Sequence, residues 1–129
     1  MIFAESCDLE ILPSVGSTND YLKNQPMDIK SDPFLKIVIA QEQTQGRGRL
    51  NRSWISPQGQ NLYFSCKKHF AKPVNELSAL SLVVSLAVVK TLEAYITSGP
   101  LSIKWPNDIF YQSAKLSGNL IDIVSSSNS

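Results

Sequence analysis

Gln41-Glu-Gln-Thr-Gln-Gly46-Arg-Gly-Arg-Leu-Asn-Arg52-Ser-Trp-Ile-Ser-Pro57-Gln-Gly-Gln-Asn-Leu-Tyr-Phe-Ser65 carries three glycines, one proline and three arginines, with Glu42 its single acid. It starts where the apolar run Ile37-Val38-Ile39-Ala40 ends and finishes inside a second, alternating run. A connection this long in a small domain is either functional or disordered. Gly46 and Gly48 let backbone N–H groups approach a ligand closely, and Arg47, Arg49 and Arg52 offer forked donors for phosphate or carboxylate. The expectation is an anion-binding loop that can move. Gly46-x-Gly48 runs on to Asn51 rather than a third glycine, and no Gly-Lys-Ser/Thr closes it, so neither a dinucleotide fingerprint nor a P-loop is present. On spacing alone a solvated surface loop accounts for it equally well.

Working outward, Phe34 to Ala40 is β-branched and apolar and reads as a buried strand. Leu9 to Leu12 is a short strand closed by Pro13. Ser14-Val15-Gly16 makes a turn, and Ser17 or Thr18 caps a helix to about Asn24. For Ser17-Thr18-Asn19, capping alone explains the residue types. Gln25 to Pro33 is a polar loop. Downstream, Asn61 to Lys67 alternates as a strand, with Leu62, Phe64 and Cys66 on one face and Tyr63 and Ser65 on the other. Asn75 caps a helix from Glu76 to about Tyr95. Leu77, Leu80, Val84, Val88 and Leu92 form its stripe, widened by Leu82, Leu86 and Val89, which predicts a core helix on a sheet. Leu101 to Lys104 is a strand, and Ile109–Tyr111 with Leu116–Val124 form a hairpin turning at Gln112-Ser113-Ala114. The order β-α-β-β-α-β-β-β predicts an α+β fold with a mixed, largely antiparallel sheet packed on helices.

The chain has 129 residues, 43% hydrophobic, which suits one domain with its own core. A net charge of +1 argues against a nucleic-acid coat. Positive charge is local, in the arginine loop and at Lys67-Lys68-His69. Cys7 and Cys66 make no disulfide framework and have no metal-ligand spacing, so buried or idle thiols in a reducing compartment are expected. Met1 to Ser6 lacks the features of a signal peptide. The longest uncharged apolar segment, Ala79 to Val89, falls short of the ~20 residues that span a bilayer. A soluble cytoplasmic protein with no membrane segment follows. Ser125 to Ser129 is low in complexity and reads as a frayed end. No Ser/His/Asp or Cys/His arrangement supports nucleophilic hydrolysis, and His69 and metal ligation are given no role.

Lys104-Trp105-Pro106-Asn107-Asp108, followed by Lys115-Leu116-Ser117-Gly118, forms a second constellation. Pro106 pushes Trp105 out of the helical region and leaves Asn107 and Asp108 at a strand end. A carboxylate there can orient an amine or take its proton, and Lys115 is a mobile point charge for an oxyanion or phosphate. An ordinary turn and hairpin lysine would have the same spacing.

Taken together, these pieces resemble the catalytic domain of biotin–protein ligases. The matching residues are Ser17-Thr18-Asn19; Gln43 ahead of Gly46-Arg47-Gly48-Arg49-x-x-Arg52; Trp54-x-Ser56-Pro57-x-Gly59-x-Asn61-Leu62-Tyr63-x-Ser65; Lys104-Trp105-Pro106-Asn107-Asp108; and Lys115-Leu116-x-Gly118. The resemblance implies a fold like the class II aminoacyl-tRNA synthetases and biotin synthetases. It also implies a two-step reaction with ATP, biotin and Mg2+. Biotin's carboxylate attacks the α-phosphate of ATP, and a lysine of a biotin carboxyl carrier protein, the acetyl-CoA carboxylase subunit, then takes the biotinyl group. In that scheme Ser17, Thr18 and Gln43 bond the ureido ring, and Gly46 and Arg47 supply backbone contacts. Arg49, Arg52 and Lys115 stabilise phosphates and carboxylate, Trp54 walls the biotin tail, and Asp108 positions the acceptor lysine. Gly118 completes the ligand-binding set. A loop that folds over an adenylate would exclude water from it.

The chain departs from that pattern at four points. Asn51 stands where glycine is usual, Ser117 where alanine or glycine is usual, and Asn119 where an aliphatic strand residue is usual; a buried Asn119 without a partner would cost about 1–3 kcal/mol. The fourth point is length. The expectation is a single, partial catalytic domain over residues 1–129, incomplete at its C-terminus, with no N-terminal DNA-binding domain and no C-terminal β-barrel. An open sheet edge would then favour self-association, for instance as a homodimer. A non-catalytic biotin- or carrier-binding remnant and a lipoate–protein ligase-like acyltransferase are the alternatives.

Overall fold

The computed structural model describes residues 7–27 and 35–125. Met1 to Ser6, most of the polar loop before β2, Phe34, and the last four residues of the serine-rich tail lie outside the described residues. The chain divides into two compact units, Met1–Ala71 with Val124–Ser129, and Lys72–Ile123.

In the first unit, β1 (Cys7–Leu12) pairs parallel with β2 (Leu35–Ala40), and β2 pairs antiparallel with β3 (Tyr63–Lys67), in the order β1-β2-β3. The parallel pair needs a crossover, and helix α1 (Thr18–Lys23) supplies it. Ser17 is the N-cap: its Oγ accepts from the Asp20 amide at 3.3 Å. At the other end Lys67 Nζ donates to the carbonyls of Leu22 at 3.0 Å and Gln25 at 2.5 Å, where a cation also complements the helix dipole. Lys67, read from sequence as part of a basic patch, is therefore a helix-capping residue.

α1 packs on β2 and β3 over Val38, Ala40, Tyr63 and Ser65, all buried. The structure decides which of the two faces of β3 is covered. Tyr63 and Ser65 point to the helix, whereas Leu62 and Phe64 are 68% and 50% exposed. Strand alternation distinguishes two faces without saying which one a helix covers. Here α1 begins with the hydroxyl residues Ser17 and Thr18, and Thr18 Oγ1 lies 2.7 Å from Ser65 Oγ, so the more polar strand face is the matched one. Cys7 and Cys66 are free, and both are exposed.

In the second unit, α2 (Leu80–Glu93) packs on β4 (Leu101–Lys104) and β5 (Asp108–Tyr111), and β6 (Ala114–Gly118) completes an antiparallel sheet in the order β4-β5-β6. The helix starts later than its periodicity suggests, because Val74–Leu77 forms a separate 3-10 turn. The core face is Val84, Ser85, Val88, Val89 and Leu92, while Leu82 and Leu86 are exposed instead of widening the stripe. By length and composition the run Val74–Glu93 could cross a membrane. As folded, its α-helical part is 14 residues, about 21 Å at 1.5 Å per residue, against a hydrocarbon core of ~30 Å.

β6 ends at Gly118 rather than Val124, and the turn is Gln112–Ser113 alone, with Tyr111 paired to Ala114. Both turn residues have positive φ, 47° and 66°. The Trp105–Pro106 bond is cis.

Candidate functional site

The long connection between β2 and β3 is not an open loop. Its backbone folds into a hairpin: Gln43 N donates to Ser56 O at 3.2 Å, Trp54 N to Gly46 O at 2.8 Å and Gly48 N to Arg52 O at 2.7 Å. The tip is Leu50–Asn51, with φ of 58° and 56°, closed by Arg52 N to Arg49 O at 3.2 Å. Asn51 thus occupies a left-handed position. Glycine is the default there and asparagine the best tolerated side chain, which accounts for the residue found. The base is stitched to the preceding turn by Val15 N to Glu42 O, Thr44 N to Val15 O and Gln45 N to Gly16 O.

The hairpin arms touch at Gly46. A Cβ there would lie 2.3 Å from Trp54 O and 2.7 Å from Ser56 Oγ, so no other residue fits without moving backbone. Gly48 differs, with Trp54 Cε3 an ordinary 3.8 Å away. An open groove of about 420 Å³ runs along both arms, lined by Glu42 to Gly46 and by Ser53 to Pro57.

Gln43 is the hub of the polar network beside this groove. Its Oε1 accepts from Thr18 N at 2.8 Å and Thr18 Oγ1 at 3.0 Å, and its Nε2 donates to Ser56 Oγ at 3.0 Å, which in turn donates to Trp54 O at 3.1 Å. With both lone pairs of Oε1 engaged, Gln43 can offer a ligand the second Nε2 hydrogen, that is, a donor. Thr18 Oγ1 also meets Ser65 Oγ, which is within reach of Asn19 Oδ1, and the two hydroxyl protons are shared among these contacts and Gln43 Oε1. Ser17, Thr18, Ser56 and Ser65 are all buried, so this network is preformed, with Gln43 at its open side. Ser56 and Ser65 carry no mark of importance in the sequence beyond their place in the motif. Asn61 Nδ2 donates to Tyr63 Oη, and Tyr63 Oη to Pro57 O, bracing the returning arm.

The arginines divide. Arg47 Nε and Nη2 clasp Asp20 Oδ2 and Oδ1 at 3.1 and 2.6 Å. That guanidinium holds the Asp20 carboxyl below its usual range. Its side chain thus anchors the hairpin to α1. Arg49 and Arg52 flank the tip and are exposed. Trp54 is half-buried on the returning arm.

In the second unit Asp108 opens β5, opposite Lys104 on β4 and Gly118 on β6. Lys115 Nζ lies 2.9 Å from Asp108 Oδ1, with side chains 37% and 24% exposed. The two-residue turn pairs Lys115 with Phe110, two residues along β5 from Asp108 and so on the same face, and a register shift between Ile109 and Phe110 then sets Gly118 rather than Ser117 opposite Asp108. Asp108 therefore stands between two lysines, and Lys104 is the one that sequence reasoning left without a role. Behind Asp108, Asn107 Nδ2 donates to Asn119 O at 2.7 Å and Asn119 N to Asn107 O at 3.0 Å. Asn119 Nδ2 donates to Ser85 Oγ at 3.0 Å. Asn119 is satisfied, and it ties the Asp108 turn to α2.

The pattern described as the Biotin/lipoate A/B protein ligase family matches residues 11–129. The chain belongs to that family. Among curated relatives of this biotin/lipoate ligase family member, the bifunctional ligase/repressor BirA of Escherichia coli (strain K12) is 35% identical over 114 residues, covering 88% of this chain and 34% of that protein. The biotin–[acetyl-CoA-carboxylase] ligase of Mycobacterium tuberculosis is 32% identical, covering 90% and 44%. Among solved structures, a biotin protein ligase from Aquifex aeolicus in complex with biotin and ATP superposes with a TM-score of 0.70 at 38% identity, covering 90% of this chain and 47% of that one. The biotin protein ligase of Leishmania major in complex with biotinyl-5-AMP gives 0.75 at 30% identity, covering 91% and 52%. The ligase-family chain thus spans between a third and about half of these relatives.

Proposed function

We propose that this chain carries the biotin-activating site of a biotin–protein ligase and attaches biotin to a lysine of a carboxylase carrier protein in the cytoplasm. The Thr18–Gln43–Ser56 network beside the Gly46 hairpin is the observation that carries the reading. It presents a fixed donor and a close-packed backbone, as recognition of a neutral, amide-like head group requires. Relatives solved with biotin and ATP or with biotinyl-5-AMP support the substrate class.

In the first step a carboxylate oxygen of biotin bonds to the α-phosphorus of ATP and the bond to pyrophosphate breaks. Arg49, Arg52 and Lys115 offset the charge that develops. In the second, the acceptor lysine's amine bonds to the acyl carbon and AMP leaves. Asp108 orients that amine and takes its proton. The reading implies Mg2+ carried in on the nucleotide phosphates.

The test mixes the chain with biotin, ATP and an acceptor domain and follows adenylate and biotinyl-protein separately. Lys115→Met is expected to slow adenylate formation by ~10²-fold, and Asp108→Asn to spare it while slowing transfer by ~10²-fold. Biotin binding with no adenylate would make the chain a binding remnant. Lipoate outcompeting biotin would make it a lipoate ligase.

A further inference from the structure

Backbone stitching of the hairpin to Val15–Gly16 ends at Gln45. Two residues on, a side chain takes over: the Arg47 fork closes on Asp20, 27 residues earlier, through two hydrogen bonds. Asp20 lies in the first turn of α1, and the other functional residues of that turn are Ser17 and Thr18, the second of which holds Gln43. One helical turn thus grips the ligand-facing arm at two points four residues apart, Gln43 and Arg47. The pair differs from an ordinary surface ion pair in being bidentate, with the Asp20 side chain 45% and the Arg47 side chain 26% exposed.

We propose that Asp20 is a positioning residue for the hairpin, clasping Arg47 so that the Gly46–Arg47 backbone is in place beside Thr18 and Gln43 before a ligand arrives. The inference extends the biotin-site reading above, which supplies the ligand. The clasp itself is a property of the free protein. It leaves Arg47 contributing backbone rather than charge, so anion contact belongs to Arg49 and Arg52. Asp20 touches no ligand, and its removal changes the population of the ordered arm and not the chemistry of the site. Binding then weakens by the fraction of time the arm is disordered.

The variants are Asp20→Asn, Arg47→Lys and the exchange Asp20→Arg with Arg47→Asp. Hydrogen exchange in the ligand-free chain reads the Gly48 and Trp54 amides, whose acceptors lie across the hairpin, against the Tyr21 and Asn24 amides of α1 as internal controls. Asp20→Asn is expected to speed exchange at Gly48 and Trp54 about tenfold or more with the α1 amides unchanged. Arg47→Lys should fall between, and the exchange variant should recover at least half of the loss. Titration with biotin is expected to show a matching rise in Kd, and turnover a rise in KM larger than the fall in kcat. Exchange at Gly48 and Trp54 within twofold of wild type in Asp20→Asn would overturn the proposal, as would α1 loosening to the same extent. If the wild-type chain binds no biotin, the proposed function fails, and the exchange result still decides the clasp.

Discussion

The position a side chain would take at Gly46 is filled by the carbonyl oxygen of Trp54, 2.3 Å from an ideal Cβ. Trp54 O is fixed there by the opposite rung of the hairpin and by Ser56 Oγ. Gly46→Ala must therefore spread the two arms, and we expect a loss of ~1–3 kcal/mol with biotin binding abolished. Gly48→Ala, whose new methyl meets an ordinary contact at a negative φ, should cost within ~1 kcal/mol. Thermal denaturation and biotin titration of the two variants check the contrast. Equal effects would mean that glycine serves the ligand and not the packing.

Ser85 and Asn119 make a second close relationship, in the other unit. Ser85 is fully buried in α2, and its hydroxyl receives Asn119 Nδ2. Ser85→Ala orphans the amide and should destabilise by ~1–2 kcal/mol. Asn119→Leu should cost less, because the Ser85 hydroxyl keeps Pro106 O as its acceptor at 3.4 Å. The double replacement should recover about 0.5–1.5 kcal/mol of the sum in a double-mutant cycle read by urea denaturation. Strict additivity would show that the two groups do not rely on each other.

Protonation offers an independent reading of the Arg47 anchor. The hydrogen bond from Arg47 lowers the Asp20 pKa, burial opposes it, and the charges of Arg47 and Lys23 lower it further. A depressed carboxylate contributes stability above its unfolded value, near 3.8, and loses it as pH falls through the lower folded value. Acid should therefore loosen the hairpin below about pH 4, and Asp20→Asn should remove that part of the pH dependence. Hydrogen exchange or Trp54 fluorescence across the range measures it. A hairpin that loosens at the same pH in both proteins would exclude Asp20 as the group responsible.

The β5–β6 turn pairs Tyr111 with Ala114 across Gln112 and Ser113, both left-handed and neither a glycine. Two-residue hairpins of this type favour Asn-Gly. Gln112→Asn with Ser113→Gly should raise stability by ~1 kcal/mol or more, seen as a higher denaturation midpoint at unchanged slope. No gain would indicate that Tyr111 Oη, donating to Ser98 O at 2.6 Å, and its neighbours already hold the turn.

Element order was legible from the residues, since each run of β-branched or helical periodicity was bounded by proline, glycine or a capping residue. Thr18, Gln43, Gly46, Arg47 and Trp54 were legible as one group because their motifs are dense and local. The burial of Tyr63 and Ser65, the clasp of Arg47 by Asp20 and the partnership of Asn119 with Ser85 were not. Each joins residues 27 to 47 positions apart or depends on which sheet face a helix covers, and periodicity carries no such information. The same holds for the loop that opened the reading. Its glycines and arginines fitted an anion site and a solvated loop equally, and tertiary structure made it a hairpin with one glycine forced by packing and one arginine held by an acid. By itself the sequence determined the order of elements and the kind of chemistry on offer. Which polar groups face a ligand and which hold the fold was decided only in three dimensions, because hydrogen-bond partners distant in sequence settle which donors remain available.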